Sequence, residues 1–433
     1  MESVSSWGLL SADPHQVIRL SAPDKVSHDL QNTGQKGIAY GNGRSYGDIC
    51  LNPHRTLWQT RGLNRFVHFD TQTGILICEP GLLLKEIQQL AVPRGWILPV
   101  TPGTQYATLG GAIANDVHGK NHHAAGTLGE HVRRLKMVRT DGEIIECSPS
   151  LEPKLFAATV GGFGLTGVMI EVEIQLLAVD GPWFNTETIP YDSLDEFFEL
   201  ADQSEADWDY TVSWIDCLSG SKSRGIFIRG NHAKNIERSL PQPRKLSMPF
   251  VPPVSLVNQL TLKPFNFAYY NLQKQKQGQA ITHYEPFFYP LDNILKWNRM
   301  YGSQGFFQYQ SVVPPQYQRD ATAAMLDEIK SFGEGSFLAV LKTFGDRPAV
   351  GMMSFPQGGV TLALDFPNKG DRTHALFKRL DNIVHEAGGR IYLAKDARLT
   401  RELFERSYPN LSEFLTYRDV GISSALSRRL IGS

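Results

Sequence analysis

The chain has 433 residues, a net charge of −1 at neutral pH, 10% aromatic residues and 20% charged residues. That length admits two or three domains and a sizeable core, and a charge so close to balance leaves no global field to attract nucleic acid. Cys50, Cys78, Cys147 and Cys217 form no C-x-x-C pair and match no zinc spacing, which predicts reduced thiols in a cytoplasmic protein. Met1–Leu20 lacks a basic region followed by an apolar core, and no run of about 18 apolar residues occurs, so neither a signal peptide nor a membrane span is expected.

In chain order, Phe66–Phe69 and Ile75–Cys78 are β-prone runs split by the turn cluster Asp70 to Gly74. Leu82–Leu90 has apolar residues at helical spacing just after Gly81. Leu135–Val138 and Ile144–Cys147 flank Thr140-Asp141-Gly142, a hairpin signal because Asp-Gly tolerates positive φ. Val168–Leu176 alternates as a half-buried strand does. Near residue 177 the texture changes. Leu194–Leu200 reads as a helix, and Thr211–Cys217 and Gly225–Arg229 read as strands. Helix Asp320–Phe332, strand Ser336–Thr343 and strand Val360–Phe366 follow, then helix Thr373–Ala387, ended by Gly388-Gly389. Arg390–Ala394 reads as a strand. The mixture predicts an α+β fold rather than a regular doubly wound sheet.

Residues 234–281 carry Lys234, Arg238, Arg244, Lys245, Lys263, Lys274 and Lys276 against the single acid Glu237, around the apolar, proline-rich run 248–254. Prolines predict that part of this stretch is a long loop. Two readings are open: a solvated loop, or a mobile loop that meets an anionic membrane.

Three segments carry chemistry. In Gly41-Asn-Gly-Arg-Ser-Tyr-Gly-Asp48, three glycines within seven positions let backbone approach a ligand and turn successive N–H groups toward one anion. The loop is neither a Walker loop nor a G-x-G-x-x-G, so a pyrophosphate cradle and an ordinary turn remain the two readings. The second segment, Pro102 to Asn115, is rich in small residues and leads into Asp116-Val-His-Gly-Lys-Asn-His-His123. His118, His122 and His123 suggest a metal site or metal-dependent hydrolase, but no Cys and no H-E-x-x-H accompanies them, so no metal is expected. The third, Gly161-Gly-Phe-Gly-Leu-Thr-Gly-Val168, is explained by a tight bend into a strand.

Taken in order, the Arg44-Ser-Tyr-Gly-Asp48 loop, Pro102-Gly-Thr with Leu109-Gly-Gly and His118-Gly, and the third glycine run resemble the vanillyl-alcohol-oxidase type of FAD-linked oxidases. The strings His118-Gly-Lys-Asn-His-His123, Gln308-Tyr-Gln310, Val312-Val-Pro314, Asp365-Phe-Pro367 and Tyr392-Leu-Ala-Lys-Asp396 are similar to one branch of it. That branch oxidises a polyprenylphosphoryl pentose as the flavin half of a 2′-epimerase. The resemblance implies a two-domain FAD-binding oxidase fold: an FAD-binding domain over 1–176, an antiparallel-sheet substrate domain over 177–387, and a segment 388–433 returning to the FAD domain.

It also implies site residues. Gly41, Asn42, Gly43, Arg44, Ser45, Tyr46 and Gly47 would hold the FAD pyrophosphate. Gly103, Thr108, Leu109, Gly110, Gly111, Asn115, Asp116 and His118 would line the flavin, with Ile170 and Tyr392 touching it from neighbouring strands. Many relatives carry a histidine covalently tied to flavin where this chain has Arg44, so FAD is expected to be held non-covalently. Lys395 would be the catalytic base or alkoxide stabiliser, with Tyr46, His118 and Gln308 around it. Lys120, Gln310, Thr361 and Lys395 would meet substrate, Lys120 through its phosphate, while Tyr301 and Tyr309 would pack. Thr361 and Ala363 depart from the family's Asn and Cys, which alters the sugar-facing side of the pocket. The implied reaction takes a secondary hydroxyl, the 2′-OH of a lipid-linked sugar, to a ketone as the first half of an epimerisation. An NAD(P)H-dependent reductase would be the partner that completes it. A soluble alditol or aldonolactone oxidase and a non-catalytic flavin-binding protein are the alternatives.

Overall fold

Side-chain alternation divides the molecule. In strand Gly359–Pro367, Val360, Leu362, Leu364 and Phe366 enter the main core, whereas Thr361 and Ala363 face a cavity. In the adjoining Phe306–Val313, Phe307, Tyr309 and Val313 join the core while Gln308 and Gln310 face the cavity. Strand Ala339–Phe344 repeats the pattern, with Ala339 and Leu341 inward and Val340 and Lys342 on the cavity side.

The computed structural model, which describes residues 1–219, 224–241 and 246–432, places these strands in an eight-stranded antiparallel sheet. Its order is Gly278–His283, Trp183–Tyr191, Gly225–His232, Tyr210–Ile215, Ala339–Phe344, Gly359–Pro367, Phe306–Val313 and Arg390–Ile391. Helices Leu194–Ser204, Gln318–Phe332 and Asp371–Glu386 cover the core face, burying among others Phe197, Met325 and Phe377. The amino-terminal part builds two further sheets. One joins Glu2–Ser3, Pro14–Arg19, Thr56–Gln59 and Gly37–Tyr40, the last three parallel. The other is antiparallel, in the order Phe66–Asp70, Ile75–Cys78, Val168–Gln175, Val132–Val138 and Ile144–Cys147. The fold is α+β, as expected, and all four cysteines are free thiols. Among the described residues no helix is long and apolar enough to cross a membrane.

Four of the elements that differ from expectation show a local reason. The helix after Gly81 begins at Leu84, because the Glu86 carboxylate accepts the Leu83 N–H at 2.6 Å and caps the turn there. The strand expected to run from Ser336 begins at Ala339, since the Ser336 hydroxyl bonds the backbone N–H and carbonyl of Leu338. The strand expected over Arg390–Ala394 stops at Ile391, where N–H groups of Lys395 and Asp396 turn back onto the carbonyls of Tyr392 and Leu393. Within 234–281, the loop reading fits 248–257, but helix Gln259–Lys274 and strand Gly278–His283 follow. Asn258 caps that helix by accepting the N–H groups of Leu260 and Thr261. Pro264 stands on its exposed side, where water can satisfy the carbonyl that a proline leaves without a donor. Arg244 and Lys245 lie outside the described residues.

The carboxyl-terminal segment returns to the amino-terminal sheets. Ile422 bridges Gly37, and the Asp419 carboxylate accepts the N–H and hydroxyl of Thr140. Arg429 donates to Asp48 at 2.9 Å and to Asp396 at 3.0 Å. The Asp396 side chain is 2% exposed. Arg429→Ala would leave that buried carboxylate without its counter-ion, at a cost of about 3 kcal/mol. A lower urea midpoint is the expected result, and an unchanged midpoint would contradict this role.

Candidate active site

The loop 41–48 is fastened from both sides. Gly43 adopts φ +60°, the left-handed region that glycine enters freely, and the Tyr40 hydroxyl would meet any side chain placed there. Gly47 lies so close to the Asp396 carbonyl that a Cβ would overlap it. The Tyr46 N–H donates to Ala394 at 3.1 Å, and the Tyr46 carbonyl accepts the Ser6 hydroxyl at 2.8 Å. The Arg44 guanidinium is 4.1 Å from the Trp7 ring centre and 5.1 Å from that of Tyr106.

Beside the loop is a cavity of about 510 Å³ between the amino-terminal sheets and the cavity face of the eight-stranded sheet. Gly41, Asn42, Gly43, Arg44, Ser45 and Tyr46 form one wall. Gly103, Thr108, Gly110, Gly111 and Asn115 form a second, and His118, Lys120, Tyr392 and Lys395 also reach the cavity. Four residues expected at the cofactor are not among those lining the cavity. Gly47 is spent on the contact with Asp396. Leu109 is fully buried in an apolar cluster. Asp116 is occupied by the Ser354 hydroxyl and the Gly129 N–H, and burial pushes its carboxyl up to about 6. Ile170 points into the main core, while its neighbour Met169 takes the cavity side, because adjacent strand residues face opposite ways.

At the sheet end, Lys395 Nζ is 3.9 Å from the Tyr46 ring centre. Burial lowers the Lys395 ammonium below the ordinary lysine range, against the pull of the Asp365 charge. Asp365 is raised by burial and accepts the Gln308 amide at 2.6 Å. Burial and the Asp365 charge push the Tyr46 hydroxyl well up, opposed by a hydrogen bond with Gln308. The Gln310 amide reaches His118 Nε2 at 3.0 Å and Thr361 Oγ1 at 3.2 Å. Burial, then the Lys342 charge, hold His118 well below its usual value, so the imidazole is neutral. Tyr301 stacks on Phe306 at 4.1 Å and Tyr309 enters the main core, both as packing residues.

Lys342 escaped the sequence reading. Its Nζ is 3.2 Å from His118 Nδ1 and donates to the Gly119 carbonyl at 3.0 Å. Burial, reinforced by the charges of Lys120 and Lys395, lowers it to about 7. Lys120 is lowered to about 7 by burial alone, with Nζ on the Phe287 carbonyl and 4.7 Å from that ring. The signal for Lys342 was period-two alternation: it pairs in register with Thr361, two positions from Ala363. Trp7 and Asp292 were also missed. Asp292 accepts the Thr104 hydroxyl at 2.9 Å and the Gln105 N–H at 2.8 Å, bracing the loop after Gly103. The His118 and His122 rings both pack on Phe344, at 4.8 and 4.5 Å, while His123 Nε2 meets the Trp208 carbonyl at 2.7 Å.

A family model described as an FAD binding domain matches residues 17–148. The chain is 34% identical over 446 aligned positions to decaprenylphosphoryl-β-D-ribose oxidase of Mycolicibacterium smegmatis, spanning 98% of this chain and 96% of that one. It is 28% identical over 372 positions to an uncharacterized protein in the mprA 5′ region of Streptomyces coelicolor, spanning 81% of this chain and all of that one. The cavity fits FAD: its wall is lined with glycines, and the buried Arg44 Nε and Asn115 Oδ1 have no hydrogen-bond partner within the protein. By similarity along nearly its whole length, and with FAD as its cofactor, the chain belongs to the FAD-linked oxidase family.

Proposed function

We propose that this oxidoreductase converts the 2′-hydroxyl of a polyprenylphosphoryl pentose to a ketone, the first half of an epimerisation. The observation that carries the reading is the meeting of Lys395, lowered by burial, with three cationic or neutral partners in one cavity: Lys120, Lys342 and His118. The relative's name supplies the substrate class. In the same reading, 1–176 and 388–433 form the FAD-binding domain and 177–387 the substrate domain. The contacts of Arg429 with Asp48, of Asp419 with Thr140 and of Ile422 with Gly37 support that division.

The backbone of 41–46, the Arg44 guanidinium and the Asn115 amide would hold FAD. When bound, FAD supplies the acceptor for the hydride that leaves C2′. Lys395, neutral, takes the hydroxyl proton, and its place over the Tyr46 ring holds Nζ at one position. The Gln308–Asp365 pair orients Tyr46 beneath it. Lys120 and Lys342 are desolvated cations in want of an anion, and a substrate phosphate entering beside them would restore their charge. Gln310 and Thr361 face the sugar. A nicotinamide-dependent reductase is the class of enzyme that would consume the ketone. The four unpaired thiols support a cytoplasmic location.

Lys395→Met should lower kcat by about a hundredfold or more, the usual worth of a positioned base, without removing bound flavin. In the unaltered enzyme, kcat/KM should rise with pH through a pKa below the ordinary lysine value, because the neutral amine is the active form. That rise should vanish in Lys395→Met, and a variant that keeps both rate and pH profile would refute the assignment. Arg44 in the cradle predicts dissociable flavin. Acid precipitation should leave the yellow colour in the supernatant, and colour retained in the pellet would show a covalent bond.

A further inference from the structure

The cavity continues beyond the reacting centre. Its far side carries Val212, Trp214, Ile228, Leu338 and Tyr269 beside Thr186, Thr188 and Thr282. Tyr269 belongs to helix Gln259–Lys274, and its ring lies 4.8 Å from that of Trp214. The same helix buries Leu262, Asn266 and Tyr270 at the four-residue spacing of one face.

In a helix lying on a watery surface the opposite face is polar. Here it carries Leu260 and Phe267, 87% and 61% exposed, with the exposed Pro264 and Ala268 between and beside them. The segment leading into the helix adds Phe250, Val254 and Leu256, all exposed. Lys263 and Lys274 border the face, Lys276 follows it, and no acid occurs between Arg238 and Glu285. Apolar side chains bordered by cations, with no carboxylate among them, complement acyl chains beneath anionic headgroups.

We infer that helix Gln259–Lys274 and the segment 248–258 form a docking surface for an anionic phospholipid bilayer. The helix reaches the far side of the cavity through Tyr269 and turns its opposite face toward the membrane. A bilayer seated there lies beside the route by which the hydrocarbon chain of a lipid-linked substrate leaves the cavity. That benefit rests on the substrate proposed above, whereas the binding itself does not.

The test is co-sedimentation of the FAD-loaded full chain with phosphatidylglycerol-containing vesicles and with phosphatidylcholine vesicles. The unaltered protein should pellet with the anionic vesicles, and added salt should weaken it. The double variant Leu260→Glu, Phe267→Glu should lose partitioning by roughly a hundredfold, given two apolar anchors removed and two negative charges added. Lys263→Glu, Lys274→Glu is the second variant, and unchanged flavin content shows that each has folded. Equal partitioning of variants and unaltered protein, or no partitioning by any of them, would overturn the inference. A dimer that the first variant splits, with no vesicle binding, would assign the face to a second copy of this chain and overturn it likewise. Oxidation of a lipid-free phosphoryl pentose should be unchanged in the variants. If that oxidation fails while vesicle binding holds, the substrate reading falls and the docking surface stands.

Discussion

Lys395 stands over Tyr46 because two stretches of chain about 350 residues apart are pinned together. Gly47 admits the Asp396 carbonyl, the Tyr46 N–H bonds Ala394, and Arg429 spans the carboxylates of Asp48 and Asp396. The glycine cradle and the turn that carries the lysine are therefore one structural unit. Any ligand held by the cradle is positioned against Lys395 without a separate device. Preorganisation of this kind lets a reacting group be placed before the reaction begins rather than during it.

The eight-stranded sheet supplies the other half of the arrangement. One face belongs to the core, and its aliphatic and aromatic side chains stabilise the fold by removal from water. The other face is free to carry Gln308, Gln310, Lys342 and Thr361, because period-two alternation separates packing from chemistry residue by residue. Burial destabilises the cations here: Lys342 on this face and Lys120 from the segment 116–123 are both lowered to about 7. A site holding cations in that condition favours anionic ligands, since an arriving negative charge relieves the desolvation. Thr361 and Ala363 also line this cavity, and Ala363 offers it no polar side-chain atom.

The glycine-rich turn at 41–48 was legible in the sequence because its demands are local. A left-handed residue at Gly43 and a close approach at Gly47 leave few residue types acceptable. The hairpin over 132–147 was legible for the same reason, through Asp141-Gly142. Lys342 was not, since a lysine in an alternating strand reads as solvent-facing until the sheet is assembled and its outer face proves to be a cavity wall. Ile170 was placed one residue out: the strand was recognised, but which of its faces meets the cavity depends on its sheet partners. Helix Gln259–Lys274 was hidden by Pro264 and by its lack of a polar face. Both features are unusual for a water-exposed helix, and both make sense only when its surroundings are known.

The proposed reaction removes hydrogen from C2′ of a phosphoryl pentose. Its most direct measurement is anaerobic mixing of the FAD-loaded enzyme with a short-chain prenylphosphoryl pentose bearing either hydrogen or deuterium at C2′, following loss of the yellow flavin band. Bleaching that slows with deuterium at C2′, and not with deuterium at a neighbouring carbon, is the predicted result. Flavin that stays oxidised, or that bleaches at one rate with every isotopologue, would contradict it.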